Sequence, residues 1–217
     1  MTVLARFVSI FAPRLLRVSW GQLLLELEST YRDHLEAVDR QPTILAQQLL
    51  ISGEDHRYYR HGGFDVIAIC RAIWRGMILR QPEGASTIEM QLVRVLTGKY
   101  DKTLKRKIQE IALATLISKV IPKNDIPAVY LEIAYFGRRM NGFRAAFRKI
   151  GGGARQLTYL QTAQLVARLK YPEPRYVSSE RLRKINVRAD HLLSLYEQHR
   201  QGNTYQGMMK EVCNETV

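Results

Sequence analysis

Three short stretches of this chain hold most of its chemistry. Glu54-Asp55-His56-Arg57-Tyr58-Tyr59-Arg60-His61-Gly62-Gly63 sets an acidic pair directly after the apolar run 44–51. A carboxylate at the edge of a buried element is partly desolvated, which moves its pKa toward the value a general base needs. Gly84-Ala85-Ser86-Thr87-Ile88-Glu89-Met90-Gln91-Leu92 offers a glycine turn, two hydroxyls and an amide side chain, groups suited to gripping oxygen-rich ligands. Arg106-Lys107-Ile108-Gln109-Glu110 adds a second carboxylate, with two cations on the same helical face. Two acids with clustered cations point to sugar transfer with an anionic leaving group. Each stretch alone has a plainer reading: a helix cap, a hydrogen-bonded structural histidine at His61, a surface ion-pair cluster worth little to stability. Their order along one short span of chain favours the chemical reading.

The elements that must position these groups are helical. Apolar residues at three- and four-residue intervals predict helices over 18–35, 43–50, 65–79, 88–96, 104–120, 126–136, 158–169 and 179–199. Thr103 is an N-cap for the fifth of them and Pro122 marks its end. No run alternates with period two, so no sheet is demanded. Gly62-Gly63, residues 81–84 and Gly151-Gly152-Gly153 signal loops. Residues 1–40 read as an N-terminal helical segment and 41–200 as one domain, while 201–217 read as a loosely held tail.

With 217 residues the chain can bury one good core, in one or two lobes. Lys and Arg outnumber Asp and Glu by 33 to 20, a formal charge of +13, which predicts anionic company. Composition does not choose among nucleic acid, an anionic membrane surface and phosphate-bearing substrates. No nucleic-acid module and no aromatic-basic interleaving is present, so nucleic acid is not the expected partner. Residues 1–25 are apolar but broken by Arg6, Pro13, Arg14 and Arg17, short of the roughly 18 uninterrupted apolar residues of a spanning helix. Val3, Leu4, Phe7, Val8 and Phe11 recur at helical spacing and fit either an in-plane interfacial helix or a helix capping the core. The two cysteines, Cys70 and Cys213, lack metal-type spacing.

The ordered motifs resemble those of the family 51 glycosyltransferases, the peptidoglycan glycosyltransferases that include the monofunctional biosynthetic transglycosylases. The likeness runs from about Thr43 to about His191. The first family motif, Glu-Asp-x-x-Phe-x-x-His-x-Gly, is matched by Glu54, Asp55, His61 and Gly63, with Tyr58 in place of Phe. The second, Gly-x-Ser-Thr-x-x-x-Gln-Leu, is matched by Gly84, Ser86, Thr87, Gln91 and Leu92. Arg106, Lys107 and Glu110 match the third, Arg-Lys-x-x-Glu. The fourth is followed through Lys123, Ile126, Tyr130-Leu131 and Tyr135-Phe136-Gly137.

The resemblance implies an all-α fold: a lysozyme-like large lobe, a small membrane-facing lobe, and a groove between them. It implies polymerisation of lipid II into β-1,4-linked glycan by an inverting displacement, with undecaprenyl diphosphate leaving. Glu54 would be the general base. Arg94, Lys102, Arg106 and Lys107 would hold the diphosphate, and Glu110 would orient them or act through a divalent cation, Mg or Mn. Asp55, His61, Ser86, Thr87, Gln91 and Lys123 complete the implied substrate-binding set. The implied partners are lipid II, the growing glycan strand, the membrane surface and a transpeptidase, because no Ser-x-x-Lys acylation motif occurs here. The implied place is the outer, periplasmic face of the bacterial cytoplasmic membrane, with peripheral or weak anchoring. The family pattern is broken at Val95, Ile117, Ala128 and Glu132, where Glu132 would bring negative charge near a diphosphate site. Two rival readings follow: a catalytically weakened member serving as a cell-wall assembly scaffold, and a lysozyme-like cleaving enzyme, which would need no diphosphate clamp.

Overall fold

A computed structural model describes residues 17–36, 42–78, 84–101, 103–202 and 204–205. The expected all-α architecture holds for these residues. Nine α-helices are joined by one 3-10 turn and one two-stranded hairpin. In chain order the helices are α1 (Arg17–Glu36), α2 (Ile44–Glu54), α3 (Val66–Ile78), α4 (Ile88–Thr97), α5 (Leu104–Val120), α6 (Ile126–Ile133), α7 (Phe143–Gly151), α8 (Tyr159–Ala167) and α9 (Ser179–Gln201). No helix among the described residues is long and apolar enough to cross a membrane. The N-terminal interfacial helix expected from Val3 to Phe11 lies outside the described residues.

The chain divides into two compact units. The first comprises residues 1–30 and 57–126. Its core is built where α4 packs on α5, from Ile88, Met90, Leu92, Leu113, Ala114 and Ile117, with Tyr58 from the 3-10 turn fully buried. Local chemistry fixes the ends of these helices. Thr87 caps α4 by accepting from the Met90 amide, and Thr103 caps α5 by accepting from the Arg106 amide. Gly98, left-handed at φ 61°, closes α4. Gly63 is the tightest point: at φ +102° a Cβ there would lie 2.6 Å from the Ala114 carbonyl oxygen. Only glycine lets the first motif rest directly on the backbone of α5. The loop ahead of α3 is tied by Asp65, which accepts from Arg57 Nε at 2.7 Å and from the Ile67 amide at 2.9 Å. Burial pushes the Asp65 carboxyl up, but the Arg57 contact and the amides of Ala68 and Ile67 outweigh it and hold the group below its usual range.

The second unit comprises residues 31–56 and 127–217. Here α9 packs along α8 and α2, burying Leu49, Leu50, Leu165, Ile185, Ala189 and Leu192. Thr158 and Gln161 form a reciprocal capping box at the start of α8. The sequence pattern runs a single helix through 126–136, whereas α6 stops at Ile133 and the chain turns into strands β1 (Tyr135–Gly137) and β2 (Met140–Asn141). The turn depends on glycines: a Cβ on Gly142 (φ +79°) would sit 2.1 Å from the Glu132 oxygen, and one on Gly137 (φ +136°) 2.4 Å from the Glu173 nitrogen. Helix α7, which the periodicity did not reveal, follows directly and is nine residues long. Tyr205 is buried; it packs on Tyr196 and hydrogen-bonds with Ser52 of α2. Burial pushes its phenol up to about 12.

Glu173 fastens the hairpin. Its carboxylate accepts from Arg168 Nε at 2.9 Å and Lys149 Nζ at 2.5 Å, and its backbone bonds to Phe136 and Arg138. Burial pushes this carboxyl up, yet the two cations win and hold it below its ordinary value of 4.5. A lowered carboxylate stabilises the fold above its unfolded pKa and loses that contribution as pH falls through the folded value. We expect Glu173→Gln to cost roughly 3 kcal/mol at neutral pH by leaving Arg168 buried and unpaired. Denaturant unfolding at several pH values should show the wild-type advantage intact above about pH 5 and shrinking steadily below pH 4. A pH-independent difference would remove the ion pairs from this role.

Candidate active site

The first unit gathers five of the expected site residues into one network. Glu110 is 2% exposed and stands on α5. One of its oxygens accepts from Arg94 Nη2 at 2.7 Å, the other from Arg106 Nη1 at 2.8 Å, and Lys107 Nζ lies 3.7 Å from the second. Arg106 and Lys107 reach Glu110 because four- and three-residue spacing puts them on its helical face. Arg94 arrives from the last turn of α4, across the packing of α4 on α5. Ser86 accepts from Lys107 Nζ at 2.8 Å and from Arg94 Nη2 at 3.3 Å, so the second and third motifs meet at one hydroxyl.

Three cations on one carboxylate leave two positive charges in excess. Burial pushes the Lys107 ammonium below the usual lysine range; Glu110 opposes this, while the charges of Arg94 and Arg106 add to it. Such a cluster can receive an anion that brings its own negative charge. Beside it is a small cavity of about 20 Å³, lined by Arg94, Thr97, Lys99, Arg106, Gln109 and Glu110. Lys99 and Thr97 were not singled out by sequence, since neither falls within a motif. Lys102 lies outside the described residues.

Other expected residues of this unit take different positions. Thr87 is 2% exposed, and its hydroxyl donates to the Gly63 carbonyl at 2.7 Å while capping α4. It joins the first motif to the second from inside. His61 is half-buried and packs edge-on against Tyr58. Gln91 is half-buried on α4. Lys123 pairs with Glu89, with its ammonium 3.8 Å from the Tyr58 ring centroid. The Tyr58 hydroxyl donates to the Lys123 carbonyl at 2.6 Å, a bond that phenylalanine at this position could not make.

In the second unit Glu54 is the last residue of α2, with its side chain 26% exposed, and Asp55 beside it is buried. Arg188 of α9 donates through Nη2 to Glu54 at 3.1 Å and to the Gly53 carbonyl at 2.8 Å. Gly53 leaves room here: a Cβ there would fall 2.2 Å from Leu192 Cδ2 and 3.0 Å from Arg188 Nη2. Arg188 carries no motif signal, and its pairing with a residue far earlier in the chain could not be read from spacing. Glu132 is also held locally: His34 Nδ1 lies 2.9 Å from its carboxylate. The charge that departs from the family pattern therefore has a partner within its own unit.

Comparison with known proteins bears on this arrangement. Residues 21–197 match the family described as Transglycosylase. A putative transglycosylase of Cupriavidus necator is 36% identical over 124 residues, 57% of this chain and 54% of that protein. A monofunctional glycosyltransferase of Staphylococcus aureus is 32% identical over 130 residues, 56% of this chain and 48% of that protein. Penicillin-binding protein 1A of Rickettsia typhi is 30% identical over 174 residues, 77% of this chain but 22% of the much longer relative. The chain thus spans about half of the shorter relatives and about a fifth of the longer one. With the match running over most of its length and three ordered motifs in place, the chain belongs to the transglycosylase family.

Proposed function

We propose that the protein polymerises lipid II into β-1,4-linked glycan at the outer face of the bacterial cytoplasmic membrane. The observation that carries this reading is the cluster of Arg94, Arg106 and Lys107 on Glu110, with its excess of positive charge. A leaving diphosphate develops negative charge in the transition state, and fixed cations in a site shielded from water stabilise it strongly. Glu54 takes the proton of the acceptor 4-hydroxyl. The new bond forms between that oxygen and the donor anomeric carbon, the bond to the diphosphate breaks, and the electron pair leaves on the undecaprenyl diphosphate. Glu110 holds the cations in place. With both of its oxygens facing guanidinium groups, this carboxylate is a poor ligand for a divalent ion. A cleaving enzyme of lysozyme type would have no use for such a cluster.

Contact with the membrane is part of the same reading. Helix α3 has no buried residue, and Ile67, Ile73, Trp74, Met77 and Ile78 lie along one arc of it, all more than half exposed. Arg71 and Arg75 border one edge of that arc, an arrangement suited to an anionic lipid interface.

Purified protein incubated with lipid II in detergent should give polymer resolved by size. Glu54→Gln should lower the rate by at least about 10³-fold with unfolding unchanged, and added salt should slow the wild type. Near-normal turnover by folded Glu54→Gln would take the base role from Glu54, and absence of polymer from folded wild type would favour the scaffold reading. The lowered pKa of Lys107 gives a second expectation, because its charge is lost at a lower pH than an ordinary lysine's. Activity should therefore fall on the alkaline side, and Lys107→Arg, which stays charged, should push that fall to higher pH. An unchanged profile would show that Lys107 does not act as a cation. For the membrane, Trp74→Ser should weaken sedimentation with vesicles containing anionic lipid by roughly tenfold; equal sedimentation would remove α3 from the contact.

A further inference from the structure

Glu89 has no place in the family motif and is the most buried acid of the first unit, at 0% exposure. It stands on α4 between Thr87 and Gln91, with one oxygen against the Lys123 ammonium and the Ser118 hydroxyl 3.4 Å from the same oxygen. Its other oxygen is buried without a hydrogen-bond partner. A buried carboxylate with one oxygen unsatisfied is costly and is not explained by stability. The charge it engages is the one that matters. Lys123 keeps a quarter of its side chain exposed, so its ammonium still reaches solvent while held by Glu89 from behind and by the Tyr58 ring on another side.

The charge arithmetic of the two lysine sites differs. Lys123 and Glu89 cancel, one cation against one carboxylate. Arg94, Arg106 and Lys107 outnumber Glu110 by two. A diphosphate is stabilised by uncompensated cations, whereas a neutral pair can only donate hydrogen bonds. We infer that Glu89 is a specificity-determining positioning residue that withdraws Lys123 from phosphate binding and reserves it as a donor to an uncharged substrate oxygen, a sugar hydroxyl or an N-acetyl carbonyl. The inference rests on the proposed function only in placing Lys123 at the substrate site. Tyr58 supports the same end: the departure from phenylalanine adds a bond that fixes the Lys123 backbone.

Inorganic pyrophosphate is the probe, followed by calorimetry with the whole protein at several salt concentrations, so no turnover is needed. Glu89→Gln keeps the shape and removes the charge. It should tighten pyrophosphate binding by roughly tenfold and steepen its salt dependence. Arg106→Gln in the wild-type background should weaken binding, marking the cluster as the resident anion site. The double variant Glu89→Gln/Lys123→Gln, which leaves no buried charge unpaired, should bind within about twofold of wild type. A loss of fivefold or more in the double variant, or no tightening in a folded Glu89→Gln, would overturn the inference. If the single variant does not fold, as read by circular dichroism, the double variant decides. A merely structural Glu89 would change the unfolding temperature without changing the salt slope. Failure of the transferase reading shows separately, as absence of polymer from lipid II.

Discussion

The first unit is organised around one buried carboxylate. Glu110 is nearly sealed from water, and a charge in that position survives only when cations and hydrogen bonds surround it. The groups that satisfy it come from two helices and draw in Ser86 as well. The packing of α4 on α5 and the paired threonine caps, Thr87 and Thr103, set the spacing at which this can happen. The demand of the acid for partners is thus what concentrates positive charge where an anionic ligand would be met. Gly63 belongs to the same logic, since its contact with the α5 backbone fixes the first motif to the helix that carries the third.

The second unit solves a different problem. Glu54 is partly open at a helix end, and its support comes from the side, through Arg188. Gly53 leaves room for the side chains of Leu192 and Arg188 at that point. Glu173 and Glu132 show the same habit at other places: each has its cation or histidine within the unit.

Much of this was legible in the sequence because it is local. Helical spacing foretold α5 and its Thr103 cap, and the Arg-Lys-x-x-Glu order foretold two of the three cations that reach Glu110. Thr87 was legible as a motif residue but not as a buried hinge between motifs, since its acceptor, Gly63, lies in another loop. Arg188 and Glu89 were missed for the same physical reason. Their partners lie far along the chain, and a pairing set by tertiary packing leaves no periodic trace. The hairpin after α6 looks helical in sequence because Tyr135 and Phe136 continue the apolar pattern, while the close approach of Gly137 and Gly142 to other backbone is invisible without the fold.

The contact between Tyr205 and Ser52 has a mechanical side. Tyr205 follows α9 closely, and Ser52 lies two residues before Glu54 on α2. The phenol keeps its proton through the whole physiological range, so the latch is indifferent to acidity. Tension applied to the chain at Tyr205 would therefore act on the helix that ends in Glu54. A pull at that end of the domain would be felt at a part-buried carboxylate.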